Sequence, residues 1–155
     1  MKVLIIYSSI HHKNTERIAK AMAEVLGADL VETQNAKAED ILDYDLIGFG
    51  SGIYMWKHHK LLLKFVNSLK PASGKKVFIF STSGAPDGKK QHKKLREELI
   101  KKEFNIVGEF DCLGWDTVGP LKWIGGTNKG KPDEQDIENA KNFAKELIKI
   151  RQVNL

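Results

Sequence analysis

The chain has 155 residues, a formal net charge of +5 and a sequence pI near 9.2. This length predicts one domain over residues 1–155, and the single cysteine, Cys112, excludes an intrachain disulfide and favours a reducing compartment. We expect a cytoplasmic protein without a membrane span, because no apolar run approaches ~20 residues and no secretory signal precedes the first apolar segment. The basic balance favours anionic ligands or acidic partners and does not by itself indicate nucleic acid.

The first strand is predicted over residues 2–7, where a near-continuous apolar run is typical of a central parallel strand covered on both faces by helices. The residues that follow carry hydroxyl, amide and imidazole side chains and lead into a helix that begins at Asn14 or Thr15. Free N–H groups and the helix dipole attract anions at such a helix N-terminus, so this turn predicts a phosphate site. The alternative is that the hydroxyls only cap the helix.

The rest of the chain alternates between apolar strands and amphipathic helices. Helices are predicted over residues 14–26, 57–69 and 90–102 and from Asp133 onward, with a small helical turn around Ile41 and Leu42. Strands are predicted over residues 28–32, 46–50, 76–80 and 105–113. Five strands joined by helices predict an α/β fold with a parallel, doubly wound sheet, in which a ligand binds beyond the carboxyl ends of the strands.

Three loops of polar or small residues are predicted to meet at that edge, over residues 8–14, 51–56 and 81–88. The first would hold a phosphate. The second has glycines and aromatic side chains that suit a flat ring, and the third would let backbone groups approach the polar edge of that ring. Together the loops indicate a mononucleotide with a planar, hydrogen-bonding head group.

Residues 114–132 form a long connection without a predicted helix or strand, and connections of this length are usually functional or disordered. Trp115, Leu121, Trp123 and Ile124 argue against disorder. We therefore expect this connection to be functional.

The three loops also resemble those of a known family. Tyr7-Ser8-Ser9, the run from His11 to Glu16, Gly50-Ser51-Gly52-Ile53-Tyr54 and Ser81-Thr82-Ser83-Gly84 are similar to motifs of the flavodoxin family, and the likeness covers essentially the whole chain. It implies a flavodoxin-like five-stranded sheet of order 2-1-3-4-5 with helices on both faces, and FMN as the cofactor. By position, it implies Ser9, His12, Lys13, Asn14 and Thr15 at the phosphate, Ser51, Gly52, Ile53, Tyr54 and Trp56 at one ring face, and Ser81, Thr82, Ser83, Gly84 and Ala85 at the pyrimidine edge. His11 is also predicted to bind the cofactor.

The function that the resemblance implies is electron transfer through FMN with redox partner proteins, by a monomer or homodimer that needs no catalytic residue of its own. The alternative is an FMN-dependent oxidoreductase that acts on a quinone or on protoporphyrinogen, since residues 114–132 and Tyr54 resemble the menaquinone-dependent protoporphyrinogen oxidase subgroup. The chain departs from the family at Lys13, where many members have glycine, and in the basic residues around loops that are commonly acidic in carriers. The latter departure favours acidic partners.

Other features have simpler interpretations. The adjacent histidines at 11–12 and 58–59 do not favour a metal site, because neighbouring side chains point apart and no carboxylate or cysteine completes a set. Cys112 is expected to be buried rather than redox-active. The run from Lys89 to Lys94 is either a solvated helix face or a docking surface for an acidic redox partner. A signalling module of the receiver type is disfavoured, because no acidic cluster follows the first strand.

Overall fold

Five parallel strands form a single sheet in the computed structural model, which describes residues 1–10, 12–117 and 123–153, without the side chains of residues 151 and 152. The strands are β1 (Val3–Ser8), β2 (Asp29–Glu32), β3 (Leu46–Tyr54), β4 (Lys57–His58), β5 (Lys76–Ser83) and β6 (Asn105–Leu113). The parallel strands lie in the order β2-β1-β3-β5-β6, and the short β4 pairs antiparallel with the end of β3. Since β5 and β6 are the fourth and fifth predicted strands, the predicted doubly wound order is confirmed.

Helices cover both faces of the sheet, as predicted. They are α1 (Asn14–Leu26), α2 (Lys60–Ser68), α3 (Gly88–Gln91), α4 (Lys93–Lys101) and α5 (Glu134–Val153). Helices α1 and α5 pack on one face against strand residues such as Ile5 and Phe78. Helices α2 and α4 pack on the other face against residues such as Ile47 and Ile79. The apolar strands are buried on both sides because consecutive strand side chains point to opposite faces.

The register of the sheet aligns the ends of the three central strands. Ser8 of β1 is opposite Ser51 of β3, and Ser51 is opposite Ser81 of β5. Because parallel strands run in one direction, the segments that leave these strands begin side by side at the carboxyl edge.

Two glycines in β3 make room for large aromatic rings of the neighbouring strand. Gly48 is opposite Phe78, and Gly50 is opposite Phe80. A Cβ added to either glycine would lie less than 3.0 Å from carbons of the facing ring. Both phenylalanines are fully buried, so neither ring can move out to solvent.

The predicted start of the second helix is wrong. The helix predicted over residues 57–69 begins at Lys60, because Lys57 and His58 form β4 and close a hairpin with the end of β3. The tip residues Met55 and Trp56 have left-handed φ angles of 50° and 64°. Positive φ at both central residues is the geometry of a two-residue type I′ turn, which usually contains Asn-Gly or Asp-Gly. Met55-Trp56 does not match this pattern, so the sequence does not predict the turn.

The prediction of one helix over residues 90–102 is also wrong in one respect, because the structure has two helices there, α3 and α4. His92 separates the two helices and is fully buried. The side chain of Asp87 caps α3 by accepting a hydrogen bond from the Lys90 N–H at 3.3 Å. The burial of His92 depends on side chains from other elements, which local helical periodicity does not reveal.

Two further local predictions are confirmed. The small helical turn around Ile41 and Leu42 is part of a 3₁₀ helix over Ala38–Asp43. The last helix begins at Glu134, one residue after the predicted start at Asp133, whose carboxylate accepts a hydrogen bond from the Asp136 N–H at 3.0 Å. No helix within the described ranges is both long enough and apolar enough to cross a membrane.

Replacing Gly50 with alanine is expected to lower the free energy of unfolding by about 2 kcal/mol, because the added methyl group overpacks the Phe80 ring. Urea unfolding followed by circular dichroism measures this loss. The same substitution should cost less in a Phe80→Leu background, where the facing side chain is smaller. An equal cost in both backgrounds would contradict the packing explanation.

Candidate functional site

A cleft at the carboxyl edge of the sheet brings together parts of all three predicted loops. This central cleft has a volume of about 50 Å³. The predicted residues that line it are Asn14, Thr15, Gly52, Ile53, Tyr54, Thr82, Ser83 and Gly84. An outer cavity of about 340 Å³ adjoins it and is also lined by the predicted residues Trp56 and Ala85. The roles of these residues in binding stay predictions, and His11 lies outside the described residues.

The first loop enters α1 through two left-handed residues. His12 has a φ of 52°, and the N-terminal cap residue Lys13 has a φ of 54°. Lys13 makes no side-chain hydrogen bond that caps the helix. Left-handed backbone costs a residue with a side chain roughly 1–2 kcal/mol, and such residues concentrate at functional sites. Lys13, which stands where many flavodoxins have glycine, therefore has a left-handed conformation that glycine adopts more readily.

Polar side chains around the start of α1 form a connected group. Ser9 Oγ accepts a hydrogen bond from the Glu16 N–H at 3.1 Å. Thr15 Oγ1 lies 2.9 Å from Thr82 Oγ1, and Asn14 Nδ2 donates to the Trp115 carbonyl oxygen at 2.9 Å. The hydroxyl-capping alternative therefore holds for Ser9, whereas the helix dipole at the N-terminus of α1 remains available to an anion.

His12 is engaged with the connection between β6 and α5. Its ring stacks on the Trp115 indole with centroids 3.8 Å apart and an angle of 20° between the planes. Its Nε2 lies 2.8 Å from Thr117 Oγ1. Trp115 thus occupies a place beside the first loop, and the connection after β6 supplies a wall of the site.

Asp116 is a site residue that the sequence motifs did not indicate. It lines both the central cleft and the outer cavity, and a Cβ added to Gly84 would lie 2.8 Å from Asp116 Oδ2. Paired backbone hydrogen bonds of 2.9 and 2.6 Å join Asp116 to Thr127, and Asn128 Nδ2 donates to the Gly84 carbonyl oxygen at 2.8 Å. The expected functional connection could have directed attention to this carboxylate, but only the fold brings it to Gly84. Residues 118–122, which include Leu121, lie outside the described residues.

The hairpin formed by β3 and β4 presents aromatic side chains at the site. The Tyr54 ring lies next to Gly52, whose added Cβ would be 3.3 Å from the ring. Burial, followed by the charge of Asp116, raises the pKa of Tyr54 above its ordinary value. Trp56 is 64% exposed and lines the outer cavity. One half-buried and one exposed aromatic side chain are therefore available to a flat ligand.

Two of the predicted serines have hydroxyls that are bonded within the scaffold. Ser51 is buried, and its Oγ accepts from the His59 N–H at 2.9 Å and donates to the Gly52 carbonyl oxygen at 2.6 Å. Ser81 is also buried, with Oγ 2.8 Å from His92 Nε2. These hydroxyls hold the strand ends and the hairpin in place, next to the residues that line the cleft.

Behind the hairpin lies a pair of buried imidazoles. His58 is 1% exposed and His92 is 0% exposed, and their ring centroids are 5.0 Å apart. His58 Nε2 lies 3.0 Å from the Phe80 carbonyl oxygen, which can only accept, so this nitrogen donates. Burial, followed by repulsion from His92, lowers the pKa of His58 to about 3. His58 is therefore neutral at pH 7 and fastens the hairpin to β5.

A carboxylate and a guanidinium complete the surroundings of this pair. Glu109 Oε1 lies 3.4 Å from His92 Nδ1, and Glu109 Oε2 accepts from Arg96 Nη2 at 2.9 Å. Burial acts to raise the pKa of Glu109, but the hydrogen bonds and charges of His92 and Arg96 outweigh it and lower that pKa. His58, His92, Glu109 and Arg96 thus support the hairpin and the strand ends from behind. Among the described residues, no cluster of three or more His, Cys, Asp or Glu side chains could hold a metal ion.

Cys112 is buried, as predicted. Burial, followed by the charge of Asp136, raises the pKa of its thiol to about 12. The thiol is therefore protonated at neutral pH, which disfavours a nucleophilic role.

The free energy of unfolding is expected to decrease as the pH is lowered, because His58 binds a proton in the unfolded chain but stays neutral in the fold. Its pKa is about 3 in the fold and about 6.5 when unfolded, so its contribution is complete well above pH 6.5 and is lost as the pH falls toward 3. Between pH 6.5 and 5.0 the wild type should lose about 1.5 kcal/mol from this residue. Urea titrations at several pH values measure the loss.

Two variants separate this effect from other titrations. His58→Gln, whose amide can still donate to the Phe80 carbonyl, should remove the loss, and His59→Gln at the N-terminal cap of α2 should keep it. The explanation fails if His59→Gln removes the loss, or if His58→Gln unfolds with the same pH dependence as the wild type.

Comparisons with known proteins agree with this architecture. A family model described as a flavodoxin domain matches residues 4–114. A protein of Methanocaldococcus jannaschii that is named only as uncharacterized is 52% identical over 150 residues, which cover 96% of this chain and 99% of that protein. A solved flavodoxin from the domain Archaea has a TM-score of 0.68 at 16% identity and covers 93% of this chain and 94% of its own. Oxidised flavodoxin 1 from Bacillus cereus has a TM-score of 0.71 at 20% identity, and the match covers 96% of this chain and 98% of that flavodoxin.

Proposed function

The chain belongs to the flavodoxin domain family, and from this premise we propose that it binds FMN at the carboxyl edge of the sheet and transfers electrons between partner proteins in the cytoplasm. The observation that supports the proposal is the meeting of α1, the hairpin and the end of β5 around one cleft. When bound, FMN supplies the redox chemistry through its ring, and the protein supplies position and electrostatics.

The residues at the cleft suit a phosphorylated flat ligand. The N-terminus of α1 offers N–H groups and a dipole to a phosphate, and Lys13 adds a positive charge at the same end of the helix. Gly52 and Gly84 also line the cleft, and Tyr54 and Asp116 lie in the space that a side chain at either glycine would take. Tyr54 and Trp56 offer ring faces on the hairpin.

Purified protein is expected to bind FMN and to develop the visible absorption of a flavoprotein. Titration of the flavin-free protein with FMN should give saturable binding and a melting temperature that rises with ligand concentration. Riboflavin, which lacks the phosphate, should bind about tenfold more weakly or worse. A colourless protein whose melting curve is unmoved by FMN would refute the proposal.

The Lys13→Asn variant tests the phosphate assignment separately. Asparagine tolerates left-handed backbone, so the loop conformation is preserved while the charge is removed. FMN affinity should fall by about tenfold, and riboflavin affinity should stay the same. Equal losses for both ligands would indicate that Lys13 maintains the loop and does not hold the phosphate.

A second candidate is an FMN-dependent oxidoreductase that acts on a quinone or on protoporphyrinogen. The observation that favours it is the outer cavity, whose volume of about 340 Å³ and exposed side chains Met55 and Trp56 suit a flat organic substrate beside the cleft. The likeness of residues 114–132 to the protoporphyrinogen oxidase subgroup stays a prediction.

Anaerobic stopped-flow mixing of the reduced, FMN-loaded protein with menadione distinguishes the two candidates. A carrier should be oxidised at a rate that rises linearly with menadione concentration, because no substrate complex accumulates. An oxidoreductase should show saturation, and Trp56→Ala should weaken the apparent substrate affinity. Saturation would therefore contradict the carrier proposal.

A further inference from the structure

The tip of the hairpin exposes two large apolar side chains beside a group of lysines. Met55 is 88% exposed and Trp56 is 64% exposed. Both residues have left-handed φ angles, which are unfavourable for residues with a side chain. The turn keeps this conformation while it exposes both side chains to solvent. Isolated exposed apolar residues are ordinary, but two adjacent ones on a constrained tip next to a binding cleft indicate a contact surface.

Lysines surround this tip on the side of α3 and α4. A shallow cavity of about 230 Å³ is lined by Met55, Trp56, Lys57, Lys90, Lys93, Lys94 and Glu97. We call the first six of these residues the hairpin–lysine surface. Its lysines are exposed, with side-chain exposures of 49% for Lys94, 73% for Lys93 and 77% for Lys90.

The charge of this region remains positive after its ion pairs are considered. Lys90 lies 3.4 Å from Asp87, Lys93 4.0 Å from Glu97, and Lys94 2.9 Å from Glu98. No ion pair involves Lys57 within the described part of the chain, and Lys89 adds a further exposed cation in α3. The Lys90–Asp87 and Lys93–Glu97 pairs are exposed, and such pairs are weak and exchange readily for charges on a partner, whereas Lys94 is paired with the largely buried Glu98.

The hairpin–lysine surface is continuous with the proposed FMN site. Met55 and Trp56 line both its shallow cavity and the outer cavity, which also contacts Gly84 and Asp116 at the central cleft. A partner that covered the hairpin tip would therefore contact the edge of the site directly. Apolar anchors inside a rim of charge are the usual composition of a protein interface.

We propose that the hairpin–lysine surface docks a small acidic electron-transfer protein, with Met55 and Trp56 as its apolar contacts and the lysines as its charged rim. The inference rests on the proposed function, because it assigns the partner surface of the same site. Positive charge around an apolar centre complements an acidic protein and accelerates association. Nucleic acid fits less well, since single-stranded binding relies on several stacking aromatics and this surface has one.

The test uses the full chain and a small, strongly acidic [2Fe–2S] ferredoxin as the probe. Titration calorimetry at low ionic strength should show that Lys57→Glu/Lys93→Glu weakens the complex by about tenfold or more. The difference should shrink in 0.5 M salt, where screening is strong. Glutamate at position 93 lies at the N-terminus of α4, where a negative charge is favourable, so the variant is expected to fold.

A matched control has the same net charge. Lys70→Glu/Lys145→Glu changes two exposed lysines outside the hairpin–lysine surface and should alter ferredoxin affinity by about twofold at most. FMN affinity should be the same in both variants and in the wild type. Equal weakening of the complex by both variants, no weakening by Lys57→Glu/Lys93→Glu, or no complex with the wild type would overturn the inference.

The binding readout does not require FMN, so the two proposals fail in different ways. If FMN does not bind but the lysine variant weakens the ferredoxin complex, the cofactor proposal is wrong and the docking surface stands. If FMN binds and only the docking predictions fail, the surface assignment is wrong. A lysine-dependent complex with a short oligonucleotide that excludes the ferredoxin would also overturn the inference.

Discussion

The register of the three central strands is the constraint on which the candidate site depends. Ser8, Ser51 and Ser81 lie in one row across the sheet, so the segments that follow them start at the same edge. That register is fixed by burial on both faces, since a shift of one residue would exchange the side chains that face each helical layer. The cleft is therefore a consequence of how the core is packed.

Much of this architecture could be predicted from local patterns. Buried parallel strands give apolar runs and amphipathic helices give a stripe at helical spacing, so the parallel strands and both helical layers were accessible from these patterns, whereas the strand order came from the resemblance to the flavodoxin family. The meeting of three loops followed from the fold rule for parallel sheets. These features depend on many residues at once, which makes them insensitive to any single unusual position.

The features that escaped prediction depend on tertiary contacts of individual residues. Met55 and Trp56 form a left-handed turn without the usual glycine, because the pairing of β4 with β3 holds them there. His92 interrupts a helical pattern because its ring is buried against Ser81 and Glu109. Asp116 reaches the site through the connection after β6, whose path no local pattern specifies.

The site combines charges of both signs in separate places. Asp116 lies at the boundary of the two cavities, whereas the lysines of the hairpin–lysine surface lie on β4, α3 and α4. A negative group close to a ligand and positive groups farther away act differently, since Coulomb energy falls with distance and exposed charges are screened. The inner carboxylate would therefore affect a ligand in the cleft most, and the outer lysines would affect the approach of other molecules.

The stacking of His12 on Trp115 joins the first loop to the connection that follows β6. Asn14 reinforces this junction through its hydrogen bond to the Trp115 carbonyl oxygen, and the same connection is tied to Gly84 through Asn128. Residues more than 100 positions apart in the chain are thus in direct contact beside the cleft. Widening the entrance on one side alone would therefore require breaking the stacking of His12 on Trp115 or the hydrogen bond from Asn14.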